Sequence, residues 1–152
     1  HNFKLIIVGD YDSYNPNKIN KKLFSDIKQN KNIKYFNFTD NIQSFFDKAD
    51  CTILPSYREG MPRSLLESSA LGIPLIGSNV PGINELIIDG FNGFLFDLND
   101  SSSITHAIEK FIKLSPHQKK QMGLNARKRV EANYSIDIVV KSYLKKANEF
   151  KN

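Results

Sequence analysis

The apolar positions of this chain alternate between short continuous runs and longer stretches at helical spacing. Residues 3–8 (FKLIIV) run into Gly9 and Asp10, the pattern of a buried parallel strand that feeds a loop. The loop 10–17 (DYDSYNPN) is rich in turn formers, and over 16–29 Ile19, Leu23, Phe24 and Ile27 recur at helical spacing with lysines opposite them. Residues 32–38 (NIKYFNF) predict a second strand, 41–49 a short helix presenting Ile42, Phe45 and Phe46, and 51–54 a third strand. A helix opened by Pro62 and closed by Gly72 comes next, because proline suits a first helical turn and glycine the position just past the last one. A strand at 73–76 leads to a break at Pro81 and Gly82, and 83–88 begins either a helix or a short strand. A strong turn at 89–93 (DGFNG) precedes the apolar pair Phe94 and Leu95. Three helices follow at 104–114, capped from within 99–103, at 116–132 and at 136–150, the last two joined at 133–135. Strands alternating with helices predict an α/β fold, a Rossmann-like parallel sheet flanked by helices, and the whole of 1–152 fits one domain.

Composition narrows the class. An apolar share of 40% with eleven Phe describes a globular chain. The one cysteine, Cys51, cannot form an internal disulfide and reads as a small hydrophobe in a strand, which fits a reducing, cytoplasmic setting. No apolar run approaches the ~18 residues of a membrane span and no signal peptide is visible. The net charge of +5 is uneven: residues 113–152 carry ten Lys or Arg against three Asp or Glu, and the rest carry eleven against thirteen. Such a basic tail attracts anionic lipid, and peripheral membrane association at the inner face is an expectation, though most charge runs of this kind are solvated faces. Aromatic residues are not interleaved with the basic ones, so nucleic acid is not expected as a partner.

The chemistry-bearing motifs exclude several classes. No G-x-G-x-x-G or P-loop follows the first strand. His1, His106 and His117 are scattered, so neither a metal nor any other cofactor is expected, and no serine has the setting of a hydrolytic triad. The helix after Pro62 is more informative. Stepping about 100° per residue puts Pro62, Leu65, Leu66, Ser69 and Ala70 on an apolar side and Arg63, Ser64 and Glu67 on a polar one. Unpaired N–H groups in its first turn form an anion site, and Gly60 leaves room for a large group to approach. Glu59 and Glu67 flank that site, and ionised carboxylates accept hydrogen bonds from hydroxyls. A nucleotide sugar has this layout, with its sugar at Glu59, its diphosphate at the helix start and its ribose at Glu67. Glu59 and Glu67 also have the spacing compatible with a glycosidase pair, which a phosphate-ready helix entry between them does not suit. Without context, Arg63 and Glu67 four apart would read as an ordinary surface ion pair.

The run EGMPRSLLE, 59–67, between LPS and LGIPLIGSNVPG, resembles the E-x7-E signature of retaining glycosyltransferases of family 4, which have the GT-B fold. The likeness extends from LIIVGD through the run ending ADCTILPS to NELIIDGFNGFLF and the last helices. It implies that the chain is the C-terminal half of a GT-B fold, that Glu59 lies near the donor sugar as the catalytic carboxylate, that the following backbone holds phosphates, and that Glu67 binds ribose. The donor-binding set expected is Arg58, Glu59, Gly60, Met61, Pro62, Arg63, Ser64, Leu65, Glu67 and Gly82, with Gly9 at a strand's carboxyl edge and Asn37 and Phe38 near the base. Glu85 either faces the same cleft or serves the turn. The partners implied are a UDP- or GDP-sugar and an N-terminal acceptor domain missing from this chain, whose start on a strand without an initiator Met predicts a fragment, inactive alone. The resemblance also implies net retention without a metal, a hexose-type sugar, and a role in surface polysaccharide or glycolipid assembly. Two other readings stay open: half of a GT-B nucleotide-sugar epimerase, and a non-catalytic nucleotide-binding module.

Overall fold

The computed structural model describes residues 3–14 and 18–150, so Pro16, the expected start of the first helix, lies outside the described residues, as do His1 and Asn2. The chain divides into two compact units, His1–Phe45 and Phe46–Asn152.

In the first unit β1 (Leu5–Val8) pairs in parallel with β2 (Ile33–Phe36), Leu5 opposite Ile33 and Val8 opposite Phe36. A parallel pair needs a crossover, supplied here by α1 (Lys21–Gln29). The Asn20 side chain caps α1 by accepting the Leu23 N–H at 2.8 Å. Phe24 of α1 stacks on Tyr11 with ring centres 4.5 Å apart and meets Tyr35 edge-on at 5.0 Å. None of the described residues up to Phe45 is buried. A short helix, α2 (Gln43–Phe46), spans the boundary between the units.

The second unit is built on β3 (Thr52–Leu54), β4 (Leu75–Ser78) and β5 (Gly93–Phe96), all parallel, with β4 in the middle. Every residue of β4 is buried, and successive residues face opposite clusters, as strand geometry requires. Leu75 packs with Leu65, Ile83, Leu86, Ile87 and Val130, while Ile76 packs with Phe94, Phe96, Ala107, Phe111 and Met122. Each such side chain contributes about 1.5–3 kcal/mol relative to an exposed position. The helices are α3 (Arg63–Ala70), α4 (Ser101–Lys113), α5 (Pro116–Asn133) and α6 (Ile136–Glu149). Helix α5 approaches the end of α3 through a glycine: a Cβ on Gly123 would lie 1.9 Å from the Gly72 carbonyl oxygen. Gly72 itself, just past α3, has φ +76°. Cys51 is half-buried beside the Ile76 cluster, and burial, aided by Asp50 and opposed by Lys119, pushes its thiol up to about 12.

The expected parallel strands and flanking helices are present, with four differences. The sheet is formed as two parallel ladders, β1–β2 and β3–β4–β5, because the strands are only three or four residues long and each pairs within its own unit. The strand expected at 73–76 starts at Leu75 and continues through Gly77 and Ser78, whose small side chains hid its end. Residues 83–86 form turns, neither helix nor strand. There the buried Asn92 side chain donates to the Leu86 carbonyl at 3.0 Å and accepts the Ile88 N–H at 2.7 Å, taking the groups that a longer helix would use. Finally, Ala70 of α3, expected on the buried side, is exposed, and Ser68, placed on neither side, is buried. Helix α6 buries none of its residues, and among the described residues no helix is long and apolar enough to cross a membrane.

Candidate functional site

The loop after β3 and the first turn of α3 bring Arg58, Glu59, Gly60, Met61, Pro62, Arg63 and Ser64 together, and Glu67 follows one turn on. Pro62 is the N-cap, with extended backbone (φ −71°, ψ 112°) and no side-chain hydrogen bond. Its carbonyl accepts the N–H groups of Leu65 and Leu66, both at 3.1 Å. Among the described residues no protein acceptor takes the N–H of Gly60, Met61, Arg63 or Ser64. The helix therefore opens with unsatisfied donors at the positive end of its dipole.

Gly60 and Gly82 differ in what surrounds them. A Cβ on Gly60 would meet nothing within 4 Å, so the backbone there faces open space. A Cβ on Gly82 would lie 2.0 Å from the Gly60 carbonyl oxygen and 2.7 Å from that of Glu59, and Gly82 has φ +83°. Glycine at 82 thus lets one backbone press directly on another, and the Glu59 loop is fixed from behind. The turn that carries Gly82 is fixed at its far end by α5. Arg129 donates through Nε to the Leu86 carbonyl at 2.9 Å and through a terminal nitrogen to the Glu85 carbonyl at 2.5 Å, and the Tyr134 hydroxyl reaches the same Glu85 carbonyl at 3.2 Å.

The two carboxylates are left unengaged. Among the described residues neither Glu59 nor Glu67 forms a side-chain hydrogen bond or an ion pair; the ion pairs present are Lys113 with Glu109, Arg127 with Glu131 and Lys146 with Glu149. The surface pair expected of Arg63 and Glu67 is therefore not made. Arg58, Arg63 and Glu67 are exposed and Glu59 half-buried. Among the described residues no three His, Cys, Asp or Glu side chains converge as a metal site requires.

Three expected site residues turn inward, the buried Pro62 among them. Leu65, placed in the donor-binding set, is fully buried beside Leu75 and Ile83, and its N–H is spent on Pro62, so neither part of it is free for a ligand. The Met61 side chain packs against the same cluster, which leaves only its backbone facing outward chemistry. The cause is the helical repeat: Leu65, Ser68 and Ser69 form the buried stripe of α3.

Gly9, Asn37 and Phe38 belong to the first unit. The Gly9 N–H donates to the Phe36 carbonyl at 3.0 Å, the Tyr35 hydroxyl donates to the Gly9 carbonyl at 2.5 Å, and Asp10 accepts the Phe38 N–H at 3.0 Å. Gly9 has φ +146° and lines a cavity of ≈330 Å³ with Tyr11, Phe24 and Tyr35. That cavity is an open cleft lined only by residues of its own unit. Sequence reasoning missed Ser56, Ser78, Arg129 and Tyr134, which act on the site through carbonyls. Only Ser56 carried a signal, being the hydroxyl after Pro55 in the loop.

Comparison with known proteins gives a consistent picture. The sequence profile of the family described as "Glycosyl transferases group 1" matches residues 1–129. The capsular polysaccharide biosynthesis glycosyltransferase CapM of Staphylococcus aureus is 30% identical over 91% of this chain and 36% of its own length. The UDP-Gal:alpha-D-GlcNAc-diphosphoundecaprenol alpha-1,3-galactosyltransferase of Escherichia coli is 33% identical over 89% of this chain and 37% of its own. The chain thus spans a little over a third of the curated relatives it matches. Among solved structures, Anabaena Alr3699/HepE in complex with UDP superposes with a TM-score of 0.83 at 19% identity, covering 97% of this chain and 41% of that one, a likeness of fold. Structural neighbours of this kind are GT-B glycosyltransferases, in keeping with the α/β architecture described above. On the profile match and on these relatives, the chain belongs to the glycosyl transferases group 1 family.

Proposed function

We propose that this chain is the donor-binding half of a retaining glycosyltransferase of family 4. In this reading it moves a hexose-type sugar from a UDP- or GDP-sugar to a saccharide or lipid-linked acceptor held by an N-terminal domain outside the chain. The observation that carries the proposal is the open entrance of α3, where unpaired amides lie between two unpaired carboxylates. The amides of Gly60 to Ser64 receive the diphosphate, with Arg58 and Arg63 adding positive charge. Glu67 accepts hydrogen bonds from the ribose, and Glu59 accepts them from the sugar.

Breaking the anomeric bond puts negative charge on the leaving diphosphate and positive charge on the sugar ring. Donors fixed before the reaction stabilise the first, and the Glu59 carboxylate offsets the second. The catalysis is electrostatic and needs no metal, and attack comes from the leaving-group side with retention. The E. coli relative's printed name, with a UDP-sugar donor and a diphosphoundecaprenol acceptor, supports a UDP-sugar and a lipid-linked acceptor. The CapM relative supports a place in surface polysaccharide assembly; a cytoplasmic protein at the inner membrane face is part of the same proposal, resting on the basic charge of residues 113–152.

Thermal shift with UDP, GDP and their sugar derivatives tests the site. One nucleotide series should raise the melting temperature, and Glu67→Ala should weaken that nucleotide about tenfold or more, the loss of hydrogen bonds to a charged group. If no nucleotide stabilises the protein and Glu67→Ala changes nothing, the proposal is wrong.

A further inference from the structure

The ladder between β3 and β4 ends at Leu54 and Gly77. The next donor in phase to reach β4 would be the Ser56 N–H, but the Ser78 carbonyl opposite it accepts the Val80 N–H at 2.9 Å instead. Ser78, one residue on from Gly77, is fully buried, and its hydroxyl donates to the Ser56 carbonyl, a side-chain link just past the end of the ladder. The Ser56 hydroxyl donates in turn to the Arg58 carbonyl at 3.2 Å. On the other side, Gly82 rests against the carbonyls of Glu59 and Gly60. The backbone that carries Glu59 is thus tied, through two hydroxyls, to the last residue of a wholly buried strand.

We propose that Ser78 is a positioning residue for Glu59: its hydroxyl holds the loop 56–58 in the path that aims the Glu59 carboxylate at the donor sugar. The inference rests on the donor-site reading above. It separates the two parts of that site. The amides of Arg63 and Ser64 and the carboxylate of Glu67 belong to α3, whose place is set by Leu65 in the core and by the close approach of α5. Nothing in that support passes through Ser78. Loss of its hydroxyl therefore slackens the sugar contact most and reaches the nucleotide only through the loop amides of Gly60 and Met61, while those of Arg63 and Ser64 stay in place. A buried hydroxyl is well suited to this task, since it must find an acceptor and has no charge to titrate.

Binding of UDP and of UDP-glucose to the full chain, measured by calorimetry with GDP and GDP-mannose run alongside, tests the assignment. Ser78→Ala should weaken the nucleotide sugar about tenfold, as expected for a contact displaced by a fraction of an ångström, while the plain nucleotide, still held by the Arg63 and Ser64 amides and Glu67, changes less than about threefold. Ser56→Ala breaks the second link without touching the core and should show the same split, so the test survives if Ser78→Ala does not fold. The double variant should be no worse than Ser78→Ala alone, because both act along one path. Equal loss of both ligands, or no loss of either, overturns the inference. Glu59→Ala distinguishes the two levels of argument. If it leaves the preference for the nucleotide sugar intact, the donor-site reading fails; if it removes the preference while Ser78→Ala and Ser56→Ala do not, only the positioning role fails.

Discussion

In the 46–152 unit β4 is buried along its whole length between two apolar clusters, whereas in the 1–45 unit no described residue is buried and Ile6, Leu23 and Phe36 stay exposed. Both units carry residues expected to meet a donor. Those around Glu59 stand on a strand and a helix locked by packing. Those around Gly9 and Phe38 are held by three hydrogen bonds, and each of these contributes on the order of 1 kcal/mol net, less than one buried leucine. The difference teaches where fine placement resides. Backbone pressed on backbone, as at Gly82, tolerates no slack and needs a rigid bed. A loop held by a few hydrogen bonds makes no such demand.

The largest expected effect tests that contrast inside the site. Gly82→Ala adds a Cβ onto the Gly60 carbonyl at a left-handed φ, so it should destabilise the protein by about 2–4 kcal/mol and remove nucleotide binding with it. Gly60→Ala has open space and no positive φ, so stability should change by less than about 0.5 kcal/mol. Its methyl group would nevertheless occupy the approach to the amides, and nucleotide affinity should be lost. Denaturation and titration of both variants would show whether stability and binding separate as stated. A destabilised Gly60→Ala that still binds nucleotide would break the account.

The next effect compares the two units directly. Leu65→Ala should cost about 2–4 kcal/mol, because it opens a cavity in a fully buried cluster. Leu23→Ala, at a side chain 46% exposed, should cost less than about 1 kcal/mol. Native-state hydrogen exchange should rank the amides in the same way, with Ile76 and Gly77 of β4 slowest and those of β1 and β2 faster. Equal protection in the two ladders would show that burial is not what separates the units.

Much of this was legible in the sequence where one residue type forces one local outcome. Gly72 after α3, the turn at Gly90 and the alternation of strands with helices all followed from local rules. Leu65 was not legible as core alone, because a helix start places ligand-facing and core-facing residues one position apart. Residues 83–88 read as the start of a helix or a short strand, and the side chain that decided against both, Asn92, is brought back by the turn at 89–93. Arg129 and Tyr134 lie more than forty residues from the carbonyls they hold. No pattern in a single sequence marks such a contact, since a carbonyl accepts from any donor that the fold delivers.

The smallest effect uses two helix caps, one in each unit, that differ by a charge. Asn20 caps α1 by accepting the Leu23 N–H, and Asp100 caps α4 by accepting the Ser102 N–H, both at 2.8 Å. The Ser102 hydroxyl and N–H bonded to Asp100 hold its carboxyl below the ordinary value of 3.8. A carboxyl lowered in the folded state contributes stability that is fully present above the unfolded value and is lost as pH falls through the folded one. Asparagine does not titrate. Acidification from pH 6 to below 3 should therefore release the α4 cap and leave the α1 cap in place, so that in an NMR titration the Ser102 amide shifts and its exchange quickens while Leu23 is steady. Asp100→Asn should abolish the pH dependence at Ser102 and keep the cap, because the amide oxygen still accepts. If both amides respond together, acid is loosening the first unit as a whole, and the two regions differ by more than their packing.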